Sequence, residues 1–230
     1  MTEAFDATRR AEKIVYFVRH AQSEHNVAPV FQSPDSPLSP EGMRQAKRIA
    51  DRASRIAFEA LIASPFRRAR ETAEAIARIA GREPELSPLF VERMKPSRIN
   101  GKPYGDEEAR AVWREWHKSL YSPGMRVEDG ESFDDIIARV DNALAYLSAR
   151  PERSLVVVTH GYFLRAMLAR VLIGELLTGP IFRHFQRGAA TENTGLTVLR
   201  HHGALDQPPR WQLWTYNDHA HLAEDAGPTR

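Results

Sequence analysis

The 230-residue chain contains no cysteine, which excludes disulfides, thiolate metal sites and a cysteine nucleophile. Long apolar runs are missing as well. None approaches the roughly 20 residues of a membrane-spanning helix, and the first dozen residues are polar, with no apolar signal-peptide core. An excess of charge of one sign is the third absence: 32 Lys and Arg face 30 Asp and Glu, a formal net charge of +2. So small a surplus generates no global field for nucleic acid or a membrane surface. These absences predict a cytoplasmic protein that uses neither thiol chemistry nor nucleic-acid or membrane partners. What is present, 42% hydrophobic and 27% charged residues, is ordinary globular composition, with length for one domain and a substantial insertion.

Residues 1–13 read as a polar lead-in and 219–230 as a polar tail. Between them, Ile14-Val15-Tyr16-Phe17-Val18 is a continuous apolar, β-rich run, the pattern of a strand buried on both faces. Leu155-Val156-Val157-Val158-Thr159 is a second, followed by a helix from Tyr162. Ser39-Pro40-Glu41 supplies a cap, a first-turn proline and a first-turn acid for a helix reaching about Arg55. Leu61–Ala63 is a short strand. Ser64-Pro65 reads as cap and first residue of a helix that carries Ile76 and Ile79 on one face and stops at Gly81. Residues 86–91 are expected to add a strand, and 93–130 an irregular insertion or lid with a short helical patch at Trp113 and Trp116. Ser132 and Asp135 stand at capping-box spacing before a long helix ending near Arg150. Residues 196–199 and 211–216 read as the last strands. This alternation predicts an α/β fold, a three-layer αβα sandwich whose mostly parallel central sheet has helices on both faces, formed by one domain over 14–218.

Ligands of such folds sit at the carboxyl ends of the strands. His20 and His160 each follow one of the two strongly apolar strands there, unlike His184, His201 or His202. Neutral imidazole is a nucleophile with an ordinary pKa of about 6.5, and neighbouring arginines lower that value by like-charge repulsion. Arg19 and Arg68 offer forked donors to phosphoryl oxygens. His201-His202 and the pair His219 and His221 lack acidic partners at ligand spacing and read as solvated tail residues, so no metal is expected. Arg67, Arg68 and Arg70 share a helix and do not form a nucleic-acid patch.

The local patterns carry a family resemblance. Val18-Arg19-His20-Ala21-Gln22-Ser23-Glu24-His25-Asn26 resembles the signature of the histidine phosphatase superfamily, the phosphoglycerate mutase-like proteins. Leu38-Ser39 with Gly42, Ser64-Pro65-Phe66-Arg67-Arg68-Ala69 with Thr72, Leu89 to Arg93, Gly130-Glu131-Ser132 and Val158-Thr159-His160-Gly161 continue it in order. The resemblance implies a phosphatase without cofactor or metal that acts on a small phosphorylated substrate. In it His20 is the phosphorylated nucleophile, and Arg19, Ser23, Asn26, Arg68, His160 and Gly161 hold the phosphoryl group.

One branch of the family has an Asp after the second His, where this chain has Gly161; that implies Glu92 as general acid and base, with Glu24, Asp129 and Glu131 as competitors. Two departures stand out. Ala21 replaces the motif's glycine, and Arg93-Met94-Lys95-Pro96-Ser97-Arg98 replaces a Gly-Trp-Glu-Gly-like stretch. The basic residues Arg93, Lys95, Arg98 and Lys102 are candidates for holding a second acidic group, against the alternative of a solvated loop. Phosphoglycerate mutase-type transfer and a non-catalytic phospholigand-binding relative are the competing functions, and a homodimer is left open.

Overall fold

The order of strands follows from which runs are apolar on both sides. In the computed structural model, which describes residues 13–203 and 209–225, β1 (Lys13–Arg19) lies at the centre. It is flanked by β4 (Ser154–Thr159) in parallel and by β5 (Leu196–His202) antiparallel. Beyond β4 come β2 (Ala60–Ala63) and the two-residue β3 (Glu85–Leu86), both parallel; beyond β5 comes β6 (Arg210–Asp218), antiparallel. The order is β3-β2-β4-β1-β5-β6.

Successive residues of a strand point to opposite faces, so the central strands feed two cores. Val15, Phe17, Leu155 and Val157 join α5 (Phe133–Ala149) and α6 (Gly161–Ile173) on one side. Val18, Leu61, Val156 and Val158 join α2 (Pro40–Ala53) and α3 (Arg67–Ala80) on the other. The sandwich read from the sequence is therefore present, with helices on both faces and an antiparallel pair at one edge of an otherwise parallel sheet.

Local chemistry fixes the helix ends. Ser39 accepts a hydrogen bond from the Gly42 N–H at 3.0 Å and Pro40 opens α2. Ser132 and Asp135 form the expected capping box on α5. Gly81 closes α3 at a φ of 65°, where a side chain would be strained. Gly42 is required by approach rather than by φ: a Cβ there would lie 1.9 Å from the Gln22 carbonyl oxygen.

Four expectations are corrected. Helix α3 starts at Arg67, with Pro65 in the preceding bend, so Ser64 is not its cap; Ile79, near its end, is exposed while Ile76 is buried. Residues 86–91 do not form a strand. Pro88 cannot donate to a ladder, and Pro88–Phe90 make a 3₁₀ turn after the brief β3. Segment 93–130 holds a 13-residue helix, α4 (Glu107–Ser119), capped by the Asp106 carboxylate accepting from the Ala109 N–H and burying Val112 and Trp116. The acidic cap and first turn were legible signals for it. Finally, the tail is not wholly solvated. Ala220–Asp225 form a 3₁₀ turn against α2, and His221 is buried, its ring hydrogen-bonded to Thr194 Oγ1 at 3.0 Å and to Arg52 Nη1 at 3.2 Å. The lead-in before Lys13 and the last five residues of the tail lie outside the described residues.

Candidate active site

The site is built where β1, β4 and β2 end together. Arg19 pairs with Thr159 in the β1–β4 register, and Ala63 of β2 pairs with Val158 of β4. The next residues of β1 and β4, His20 and His160, are therefore level with each other, and Ser64, after β2, stands beside Thr159, one position behind. Parallel pairing alone brings two histidines 140 positions apart in sequence to a ring-centroid distance of 5.0 Å, both buried.

His20 is held from several directions. Its N–H donates to Thr159 O at 2.9 Å, and its carbonyl accepts from Asn193 Nδ2 at 2.8 Å. Nδ1 faces the Ala21 carbonyl oxygen at 2.7 Å; a carbonyl only accepts, so Nδ1 carries the proton and Nε2 keeps its lone pair. Arg68 Nε donates to that Nε2 at 3.1 Å. Burial first, then the Arg68 and Arg19 charges, hold the His20 pKa well below its ordinary value, which keeps the ring neutral.

Arg68 lies in the first turn of α3 and is 1% exposed. Its Nη1 donates to Ser33 O at 3.1 Å, and burial pushes its pKa down to about 10. The helix is tied to the loop after His20 by Thr72, whose hydroxyl accepts from the Ala21 N–H at 3.0 Å. Ala21 therefore keeps the one group its position needs, a backbone donor. Arg67 points away, paired with Glu71 at 2.7 Å.

Arg19 donates from Nη1 to the Thr191 carbonyl, while its Nε is buried without a partner. His160 Nε2 lies 2.7 Å from Ser64 Oγ, and its Nδ1 is likewise buried and unpartnered. Burial, followed by the Arg68 charge, holds the His160 pKa well below its ordinary value. Unpaired buried donors are rare in native proteins and call for an explanation. Here they belong to residues grouped around His20.

The remaining candidates divide. Glu92 lines the cavity, and its carboxylate accepts from the N–H groups of Tyr162 at 3.2 Å, Phe163 at 3.1 Å and Arg93 at 3.0 Å, at the positive end of α6. A Cβ at Gly161 would lie 2.9 Å from Thr191 Oγ1 and 3.2 Å from Arg19 Nε, so the missing side chain leaves room for both. Ser23 is buried, capping the short α1 (Glu24–Val27) and donating to Asn26 Oδ1 at 3.1 Å, whereas Asn26 reaches the cavity.

Among the competing acids, Glu24 is exposed, and Glu131 is engaged with Arg139 at 2.8 Å and with the Met94 N–H at 2.7 Å. Asp129 accepts from the Ser97 N–H at 3.0 Å at the cavity's outer edge. Of the basic set, Arg98 pairs with Glu108 and Glu128, and Lys102 lies 3.9 Å from Asp106. Arg93 and Lys95 face the cavity, and burial pulls Lys95 down to about 8.

Sequence reasoning missed Ser64 as the partner of His160, and missed the polar run Thr191-Glu192-Asn193-Thr194. That run supports Arg19 and His20 through Thr191 O, Asn193 Nδ2 and the Thr194 N–H, which donates to Arg19 O at 2.9 Å. Only its position just before a strand adjoining β1 could have flagged it. Among the described residues, no group of three or more His, Asp or Glu is placed to hold a metal ion, and no helix is long and apolar enough to cross a membrane.

The family model described as histidine phosphatase superfamily (branch 1) matches residues 15–217. A curated relative named "Probable phosphoglycerate mutase GpmB", from Photorhabdus laumondii subsp. laumondii, is 31% identical over 216 residues, covering 90% of this chain and 94% of the relative. Two solved structures are similar in fold. A mycobacterial glucosyl-3-phosphoglycerate phosphatase complexed with VO3 has a TM-score of 0.67 at 24% identity, covering 89% of this chain and 98% of that one. The alpha-ribazole phosphatase from Shigella flexneri has a TM-score of 0.71 at 19% identity, covering 89% and 96%.

Proposed function

Since the chain belongs to the histidine phosphatase superfamily (branch 1), we propose that it is a phosphomonoester hydrolase working through a phosphohistidine on His20. The observation that carries this reading is the hydrogen bonding of the two His20 ring nitrogens. Its Nδ1 proton is committed to the Ala21 carbonyl, and its Nε2 lone pair faces the Arg68 guanidinium. A nucleophile and an anion-binding group thus meet at one atom.

In the first step Nε2 attacks phosphorus in line, the ester P–O bond breaks, and its electron pair goes to the leaving oxygen. Arg68, Arg19 and the unpartnered His160 Nδ1 hold the charge spread over the three phosphoryl oxygens. Glu92, in its acid form, gives its proton to the leaving oxygen. As carboxylate it then takes a proton from water, whose oxygen attacks phosphorus and expels His20. Positive charge at the phosphoryl group comes from Arg19 and Arg68, Arg93 and Lys95 add to it on the cavity wall, and the small phosphorylated substrate enters through the cavity lined by Arg68 and Glu92.

Phosphate release from a generic phosphomonoester tests the reading. It is expected to persist with chelator present and to vanish in His20→Ala; full activity in that variant ends the proposal. The curated relative's name favours a second reading, phosphoryl transfer within a phosphoglycerate. Rapid-quench labelling separates the two. A mutase keeps its phosphohistidine until an acceptor sugar acid takes the group, whereas a hydrolase loses it to water within its turnover time.

A further inference from the structure

The cavity in front of Arg68 and Glu92 has a volume of about 670 Å³, the size of sites that hold drug-sized ligands and far more than a phosphorylated three-carbon acid fills. One of its walls is a face of α4. Arg110, Trp113 and Trp116 follow each other at three-residue spacing, which places them on one side of a helix. Trp116 is 1% exposed, with its indole N–H donating to Glu131 O at 2.9 Å, and is accounted for by packing. Trp113 is not. It is half-buried, stacked on His117 with ring centroids 4.7 Å apart, and it faces Phe31 at 6.3 Å. Phe31 in turn meets Tyr104 edge-on at 4.9 Å, and Tyr104 is 49% exposed although it lines the cavity. Arg110 is exposed on the same wall and has no carboxylate partner among the described residues, in contrast to its neighbours Arg98 and Lys102.

We propose that this wall is a leaving-group subsite for a phosphomonoester whose alcohol part carries a flat aromatic or heteroaromatic ring and a second anionic group. The ring lies against Trp113 and Tyr104, and the anion pairs with Arg110. The inference rests on the phosphomonoesterase reading above and specifies its substrate class. Flat π-systems are held by aromatic faces with little sequence or heteroatom preference, and a free guanidinium beside them makes charge-assisted bonds to an oxyanion.

Three probes separate the contributions: ribose 5-phosphate, adenosine 5′-monophosphate and adenosine 3′,5′-bisphosphate. The expected order of kcat/KM is bisphosphate above monophosphate above ribose 5-phosphate, each step roughly ten-fold, as stacking and a charged contact supply. Arg110→Glu lowers the ratio of bisphosphate to ribose 5-phosphate turnover by about ten-fold or more, chiefly through KM. Trp113→Ala lowers the ratio of monophosphate to ribose 5-phosphate turnover, and Trp113→Phe, which keeps a ring and the packing on Phe31, restores most of it. Arg114→Glu, exposed on α4 and outside the cavity lining, leaves both ratios at the wild-type value.

Ratios unaltered in Arg110→Glu, or ribose 5-phosphate turned over as well as the nucleotides, overturn the subsite. Absence of His20-dependent turnover on every ester removes the hydrolase reading instead. In that event calorimetric binding of the bisphosphate to His20→Ala, with and without Arg110→Glu, decides the subsite: ten-fold weaker binding supports it, and equal binding rejects it.

Discussion

The Nε of Arg68 donates a hydrogen bond to Nε2 of His20 across 3.1 Å, with both side chains almost wholly buried. A guanidinium cannot be deprotonated at ordinary pH, so this contact is incompatible with an imidazolium at His20. Burial and the two arginine charges act in the same direction on the His20 pKa. An NMR titration of the His20 ring is therefore expected to show its midpoint well below pH 6.5. Arg68→Gln removes a positive charge and moves the midpoint upward. A wild-type midpoint at or above 6.5 contradicts the arrangement.

Glu92 as general acid predicts a dependence on the leaving group. Glu92→Gln cannot protonate the departing oxygen, and general acid–base groups contribute roughly 10²–10⁴-fold. Alkyl phosphates, whose alkoxides leave poorly, should lose about that factor. A nitrophenyl ester, whose oxygen departs as a stable anion, should lose far less in the phosphorylation step. Equal losses on both, measured by single-turnover kinetics, argue that Glu92 acts elsewhere.

Among the described residues Ser64 is the one hydrogen-bond partner of the His160 ring, engaging Nε2 and leaving Nδ1 unpartnered. Ser64→Ala leaves the fold's core unchanged in volume but frees the ring. Loss of a single orienting hydrogen bond of about 1.5 kcal/mol corresponds to roughly a ten-fold fall in kcat/KM. Ser64→Thr, which retains the hydroxyl, should recover part of it. A KM effect with kcat intact indicates that His160 contributes only to ground-state binding.

His221 anchors the C-terminal 3₁₀ turn to Thr194 and Arg52. Burial, then the Arg52 charge, lowers its pKa to about 4. Its folded-state value lies below the unfolded one, so its neutral form stabilises the fold above pH 6.5, and that contribution is lost as pH falls from 6.5 towards 4. His20 and His160 act in the same sense, so the comparison has to be with His221→Gln. Between pH 6.5 and 4, chemical denaturation should give a shallower decline in stability for the variant than for wild type. Parallel pH profiles remove His221 from the account.

Gly42→Ala is expected to cost about 3 kcal/mol, the upper range for overpacking. Its Cβ would lie 1.9 Å from the Gln22 carbonyl oxygen, a backbone atom that no rotamer change can move. Denaturant unfolding measures the loss. A variant as stable as wild type means that the loop after His20 yields freely.

Much of this site was readable along the chain, because its chemistry is written in short local words. An apolar run ending in Arg-His, and another ending in Thr-His-Gly, identify strand ends without reference to anything distant. Caps at Ser39 and Ser132 and the stop at Gly81 were legible for the same reason: each depends on a few neighbouring residues. Helix α4 was read only as a short patch at Trp113 and Trp116, because prolines and glycines flank it and its buried face is completed by Phe31 and Ile99 from outside the helix.

The sequence by itself determined the layers, the two strand-end histidines and the chemical type of their neighbours, since strand period, helix caps and residue chemistry are properties of short stretches. Only the tertiary structure decided what those groups do to one another. That Ser64 serves His160 instead of capping a helix, that Asn193 holds the backbone of His20, and that Gly161 makes room for Arg19 all arise from strands pairing across more than ninety residues of chain. Register, which sets those distances to within a bond length, is a collective result of packing two cores against one sheet, and no local pattern encodes it.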